Sequence, residues 1–254
     1  MSNLNIKIIK QLKDNYSYIL YKKDNANATI IDPAESYNLI DYLNKNNLIL
    51  QNILITHHHQ DHTGGVEGLI KQFPSTKIFA PSKLELNLVN IIKEGSIINT
   101  NINNFSVIET PGHTIDHVIL YDKDNKILFS GDTLFRLGCG RVFEGTYNQM
   151  YNSLKKINLL EDNTTIYCGH EYTLSNLKFL ETVFVNHDEL TKLRNILELE
   201  IKMNGRTIPF NLANEKKINP FLNQNSILAK KLKVEQKFSD IELFTFLRDK
   251  KNQF

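Results

Sequence analysis

Thr56-His57-His58-His59-Gln60-Asp61-His62-Thr63-Gly64-Gly65 gathers four histidines and an aspartate into six consecutive positions. The chain has 254 residues and eight histidines, so half of them fall in this one stretch. Neutral imidazole beside carboxylate suits zinc, iron or manganese. The thiolates that a closed structural zinc site favours are missing, so the stretch points to an open, chemically active metal site.

Further along the chain, apolar runs lead into residues of the same kind. Ile53-Leu54-Ile55 ends at His57, and Phe105-Ser106-Val107-Ile108 runs into Thr110-Pro111-Gly112-His113. Ile127-Leu128-Phe129 leads to Gly131-Asp132, and Thr165-Ile166-Tyr167 to Gly169-His170. Short apolar runs bounded by Gly or Pro read as buried strands, and sites in layered α/β folds collect where strands end. A glycine precedes His113, Asp132 and His170, where the missing Cβ lets the chain turn sharply.

Seven candidate ligands result: His57, His59, Asp61, His62, His113, Asp132 and His170. They are too many for one tetrahedral ion and suit two ions about 3.5–4 Å apart that share a bridge. We assign His57, His59 and His113 to the first ion and Asp61, His62 and His170 to the second. Asp132 bridges, because a carboxylate offers two oxygens, and a hydroxide fills the remaining bridge. His58 and Gln60 should face away, since alternate residues of an extended loop point to opposite sides. His117 either orients a ligand or closes the pocket, or else lies in solvent, and His187 has no neighbours of ligand type.

Strand-like runs alternate with helical segments from Asn5 to Tyr172, with helices expected at Tyr37–Asn46, Thr63–Phe73 and Gln149–Asn158. Beyond Thr173 the spacing of Leu, Ile and Phe becomes helical, over 174–184, 188–203, 226–232 and 240–250, with Asp188 and Asp240 as N-cap candidates. The segment 204–225, with Gly205, Pro209 and Pro220, reads as loop-rich and lies inside the second domain. This change of character gives two domains, 1–172 and 173–254.

Composition narrows the classes. A chain of this length with 41% hydrophobic residues can bury a full core. No run reaches the roughly 18 apolar residues of a membrane helix, and the first twenty residues, with Lys and Asn interspersed, do not form a signal peptide. Cys139 and Cys168 do not make a disulfide framework, which favours a reducing, cytoplasmic setting. Cys168 reads as small buried filler. Residues 1–172 carry 16 Lys and Arg against 18 Asp and Glu, and residues 173–254 carry 14 against 10, an excess too slight for nucleic-acid binding. We therefore expect a monomer acting on a small molecule, without a nucleic-acid or membrane partner.

The Thr56–His62 stretch reads T-H-x-H-x-D-H and resembles the signature of the metallo-β-lactamase superfamily, with His113, Asp132 and His170 following in that family's order. A narrower resemblance is to glyoxalase II, the hydroxyacylglutathione hydrolases. It is carried by Asp14-Asn15-Tyr16, Gly131-Asp132-Thr133-Leu134-Phe135, Gly138-Cys139-Gly140-Arg141, Phe143-Glu144-Gly145-Thr146, Gly169-His170-Glu171-Tyr172-Thr173, Asn219-Pro220-Phe221-Leu222 and the terminal Arg248 to Phe254. These motifs extend over essentially the whole chain.

The resemblance implies an α/β fold, a four-layer αββα sandwich followed by a smaller helical domain that helps to hold glutathione. It implies two divalent metal ions, with zinc expected first and iron or manganese also compatible. The implied reaction is hydrolysis of S-D-lactoylglutathione and related S-2-hydroxyacylglutathione thioesters, the second step of methylglyoxal detoxification. The family's glutathione-contacting positions fall on Arg141, Phe143, Tyr172, Arg248 and Lys251, where arginine and lysine suit carboxylates. Phe143 stands where tyrosine also occurs and gives up a hydrogen bond worth about 1 kcal/mol. Asp116 replaces a common glycine and Asn223 a common arginine.

In the implied mechanism the metal-bridging hydroxide attacks the thioester carbonyl, with Asp61 and Asp132 as the catalytic carboxylates. The leaving thiolate, of pKa about 8.5, departs without a strong protein acid. The alternative from another class is a mononuclear iron persulfide dioxygenase of the same superfamily, which differs most in the region after His170.

Overall fold

The computed structural model describes residues 3–81 and 89–254, and the chain divides into two compact units. The first comprises Met1–Glu109 and Asp116–Gly131, the second Thr110–Ile115 and Asp132–Phe254.

In the first unit, β1 (Leu4–Gln11) and β2 (Asn15–Lys22) form an antiparallel pair, and β2 pairs antiparallel with β3 (Asn25–Ile31). The sheet then turns parallel through β4 (Ile49–Leu54), β5 (Lys77–Ala80) and β6 (Val89–Ile91). Parallel neighbours need a crossover, which α1 (Tyr37–Lys45) supplies between β3 and β4. Between β4 and β5 the crossover is α2 (Gln60–Thr63) and α3 (Val66–Gln72). Leu39 and Leu43 of α1 and Leu69 of α3 are fully buried with Ile19, Ile30 and Ile53 of the sheet and with Ile55 just beyond β4. Truncating such a leucine to alanine costs roughly 2–5 kcal/mol.

A second sheet in this unit is an antiparallel meander of β7 (Ile97–Asn99), β8 (Asn104–Glu109), β9 (Val118–Asp122) and β10 (Ile127–Gly131). Tyr18, one residue from Ile19 and so on the opposite face of β2, meets Phe129 of β10 edge-on at 5.2 Å. Phe105 of β8 closes on the same ring at 6.0 Å. β2 is thus buried on both faces, which is why Asn15–Ile19 shows no polar-out alternation.

The second unit opens with a hairpin of β11 (Leu134–Phe135) and β12 (Gly138–Cys139), followed by α4 (Tyr147–Asn158) and β13 (Thr165–Cys168). Helices α5 (Thr173–Val183) and α6 (Asp188–Asn204) precede β14 (Phe210–Asn211), which pairs antiparallel with β13. The chain ends with α7 (Leu212–Ile218), α8 (Ile227–Gln236) and α9 (Asp240–Gln253). Phe221 joins Phe179 of α5 and Phe244 of α9, with centroids 6.1 and 6.2 Å away, in the centre of this helical part.

Several local expectations are corrected. The caps of α6 and α9 are His187 and Ser239, one residue before the aspartates. Ser239 and Glu242 form a capping box, so Asp240 instead sits in the first turn, where its charge suits the helix dipole. Within the loop-rich segment 204–225 lies α7, which Asn211 caps by accepting from Ala213 N. The helix expected over 63–73 is broken at Gly64-Gly65, where Gly65 N donates to Pro33 O at 2.8 Å.

Candidate metal centre

In the first unit the site is organised by a residue that sequence reading passed over. Asp32 follows β3, is 3% exposed and takes a left-handed φ of 49°. Its Oδ1 accepts from Thr56 N at 2.8 Å, and its Oδ2 accepts from Thr56 Oγ1 at 2.7 Å and from His62 Nδ1 at 3.0 Å. A carboxylate so placed draws the proton of neutral His62 to Nδ1 and leaves Nε2 as the lone-pair nitrogen. Thr56 Oγ1 has given its proton to Asp32, so it accepts from His57 Nδ1 at 3.0 Å, and Nε2 of His57 is likewise left as a donor of electrons.

That Nε2 lies 3.1 Å from His59 Nδ1. Two nitrogens on one tetrahedral zinc, each bonded at about 2.0–2.1 Å, would be about 3.3 Å apart, so this spacing fits a shared cation. Asp61 stands at the rim with its side chain 37% exposed, and Oδ2 accepts from Asn15 Nδ2 at 2.9 Å and lies 3.8 Å from His62 Nε2. His59 caps α2, so Asp61 and His62 are helical, and the alternating-loop argument holds only as far as residue 59. His58 points elsewhere, its Nδ1 2.9 Å from Asp116 Oδ1. The acidic residue that departs from the family pattern is therefore the partner of His58. His117 is fully buried and stacks on His57 with centroids 4.8 Å apart, which rules out the solvent-exposed reading.

In the second unit His113, Asp132 and His170 are each about 5% exposed and converge on one atom. Asp132 Oδ2 is 3.4 Å from His113 Nε2 and 3.3 Å from His170 Nε2. These separations also match ligand atoms that share a cation, and a single oxygen faces both imidazoles. The glycine before Asp132 takes φ +47°, the turn expected there. His113 Nδ1 donates to Arg141 O at 2.8 Å, and since a carbonyl can only accept, Nε2 is again the lone-pair nitrogen. The loop bearing Arg141 lies so close that a Cβ on Gly140 would come 1.9 Å from Asp132 O, which no side chain tolerates. His170 is braced by Tyr172, stacked at 4.7 Å with rings 6° from parallel.

Cys168 is fully buried, with its thiol pushed up by desolvation, and Cys139 is shifted the same way. Neither is a thiolate ligand or nucleophile. Of the expected substrate contacts, Phe143 is 59% exposed, lies edge-on to His113 at 5.3 Å and carries the Arg141 guanidinium over its ring. Lys251 sits over Phe179, and burial, aided by Arg248, pulls its pKa down to about 8. Arg248 is only 4% exposed, with Nη1 donating to Cys139 O at 3.0 Å and Gly140 O at 3.3 Å. A separate cavity of about 750 Å³, lined in part by Arg136, Glu200, Pro209 and Lys217, includes none of the candidate ligands.

Residues 171–254 match the family model of the hydroxyacylglutathione hydrolase C-terminus, and residues 13–86 and 77–170 that of the metallo-beta-lactamase superfamily. The chain is 40% identical to a hydroxyacylglutathione hydrolase of Aliivibrio fischeri (strain MJ11) over 255 residues, covering 99% of this chain and 100% of the relative. It is 43% identical to hydroxyacylglutathione hydrolase 1 of Vibrio vulnificus (strain YJ016) over 253 residues, 99% and 98% of the two chains. Among solved structures, BLEG-1 B3 metallo-beta-lactamase superposes with a TM-score of 0.65 at 22% identity, over 86% of this chain and 99% of that one. ETHE1 from Myxococcus xanthus gives 0.65 at 21%, over 98% and 100%. The latter two establish the α/β fold that the sequence led us to expect, and the full-length relatives establish more: this chain belongs to the hydroxyacylglutathione hydrolase family, glyoxalase II, within the metallo-β-lactamase superfamily.

Proposed function

We propose that this protein hydrolyses S-D-lactoylglutathione and related S-2-hydroxyacylglutathione thioesters to the 2-hydroxy acid and glutathione, the second step of methylglyoxal detoxification. In this reading His57, His59, Asp61, His62, His113, Asp132 and His170 form one centre for two divalent cations, zinc first and iron or manganese as compatible occupants. The observation that carries it is Asp132, one of whose oxygens lies at ligand spacing from two imidazole nitrogens. Family membership supports the thioester.

The donor set fits the metals, since each nitrogen that faces a partner ligand in His57, His62 and His113 is the one its hydrogen bonding leaves unprotonated. When bound, such a cation pair supplies Lewis acidity and a water of lowered pKa. The protein's own contribution is to hold the imidazole tautomers through Asp32, Thr56 and the Arg141 carbonyl, so that no proton has to be expelled before binding. Asp61, at the rim and hydrogen-bonded to Asn15, is positioned to hold a proton besides serving as a ligand. The glutathione thiolate leaves with little need of an acid.

Arg141, Phe143, Tyr172, Arg248 and Lys251 would receive the tripeptide, with Lys251 as a point charge and Phe143 as an open apolar wall. Functionally the chain divides at 172/173, into a catalytic part and a helical part that contributes to glutathione binding. We place the enzyme in the cytoplasm as a monomer. No described helix is long and apolar enough to cross a membrane.

The test is turnover of S-D-lactoylglutathione by protein loaded in turn with zinc, iron and manganese, alongside metal analysis. Thioester loss with about two cations per chain is expected. No turnover in any of the three forms removes the proposal, and oxygen uptake with glutathione persulfide by a one-iron form points instead to the dioxygenase.

A further inference from the structure

Arg248 does more than face substrate. Its guanidinium is buried on α9, and Nη1 is committed to the carbonyls of Cys139 and Gly140. Nε donates to Asn252 Oδ1 at 3.1 Å, and the cation lies 5.6 Å from the centre of the Phe221 ring. A buried cation costs several kcal/mol to desolvate. Its partners include two backbone carbonyls, an amide oxygen and an aromatic face, and the two carbonyl bonds tie down one short loop.

That loop is the cradle of His113. Immediately after Gly140, the Arg141 carbonyl accepts from His113 Nδ1 at 2.8 Å. Two residues further on, Phe143 N and Glu144 N both donate to His113 O at 3.3 Å, and Gly145 N donates to Gly112 O at 3.1 Å. The far end of the loop is tied to the same helix, because Tyr147 OH donates to Asp249 Oδ1 at 2.6 Å and accepts from Asn252 Nδ2 at 3.2 Å. Asn252 also meets Arg248, so one network on α9 grips both ends of residues 139–147. A shift of the Arg141 carbonyl by a fraction of an ångström would weaken the bond that fixes the His113 tautomer.

We propose that Arg248 is a positioning residue for His113: through the Cys139 and Gly140 carbonyls it sets the loop whose Arg141 carbonyl holds the imidazole with Nε2 toward Asp132. The inference rests on His113 being a metal ligand and is independent of which acyl group is hydrolysed. It separates Arg248 from Lys251, which would serve glutathione alone.

The test compares Arg248→Met, which keeps the volume and loses the donors, with Arg248→Lys and Tyr147→Phe. Metal affinity is measured by chelator competition, and the His113 Nδ1–H signal is followed by ¹⁵N-resolved NMR of the metal-free protein. Arg248→Met should weaken metal binding by about 10- to 100-fold, hasten exchange of the His113 Nδ1 proton and lower kcat. Arg248→Lys and Tyr147→Phe should do the same to a smaller extent. If metal affinity and the His113 signal match the parent while only KM rises, the positioning role is wrong and Arg248 is a substrate contact. Should Arg248→Met fail to fold, the same two readouts on the other variants decide. The NMR and metal readouts need no thioester, so a failure of the proposed substrate leaves this test intact.

Discussion

Asp32 Oδ2 accepts a hydrogen bond of 3.0 Å from His62 Nδ1 while holding Thr56 Oγ1 at 2.7 Å. One buried carboxylate thereby sets His62 directly and His57 through the Thr56 hydroxyl. Asp32→Asn keeps an acceptor for Thr56 N but cannot accept from both other donors with its amide nitrogen. Metal affinity, read by chelator competition, should fall about 10- to 100-fold. An unchanged affinity would mean that the tautomers are fixed by something else.

Asp132 is the residue on which His113 and His170 converge. Asp132→Ala should reduce thioester hydrolysis to background and lower the metal content by at least one equivalent per chain. Metal analysis and a turnover assay on one preparation check this, and a variant retaining both cations would dispose of the bridging role.

Lys251 has a pKa drawn down to about 8 by burial and by Arg248. Its cationic form prevails below that pH and is lost above it, so carboxylate binding should weaken as pH rises through about 8. KM for the glutathione thioester should increase over that interval with little change in kcat. Lys251→Met should raise KM about tenfold at neutral pH, from the roughly 1.5 kcal/mol of a charged hydrogen bond, and should remove this part of the pH dependence.

Glu215 is 2% exposed and its pKa is pushed up to about 7 by desolvation, although Oε2 accepts from Leu137 N at 2.8 Å and Asn219 Nδ2 at 2.9 Å. The acid of the unfolded chain ionises near 4.3. Stability from this group is therefore fully present below about pH 4.3 and is lost as pH rises to about 7, by on the order of 3 kcal/mol. Glu215→Gln preserves an acceptor and has no charge to bury. Its thermal midpoint should exceed that of the parent at pH 8 and converge with it near pH 4. Equal midpoints at pH 8 would refute the buried charge.

Phe143 is exposed beside His113, on a loop expected to face glutathione. Phe143→Tyr adds a hydroxyl and should tighten substrate about fivefold, for a hydrogen bond of about 1 kcal/mol. A KM that does not move would show that the ring acts only as an apolar wall.

The sequence by itself determined the chemistry. The spacing of His57, His59, Asp61 and His62, and the three strand exits at His113, Asp132 and His170, were legible as candidate ligands because ligand type is a side-chain property and strand ends follow from apolar periodicity. The family followed from motifs spread from Asp14 to Phe254. Tertiary structure alone decided what holds those candidate ligands. Asp32 lies 24 residues from Thr56 and 30 from His62. Arg141 acts on His113 through its carbonyl, and Gly140 through the room its missing Cβ leaves for Asp132. Backbone atoms are the same in every residue, and hydrogen bonds across tens of positions have no period, so neither leaves a mark in the order of amino acids. Only the folded chain brings a given carbonyl to a given imidazole, and with it chooses which nitrogen is left to bind.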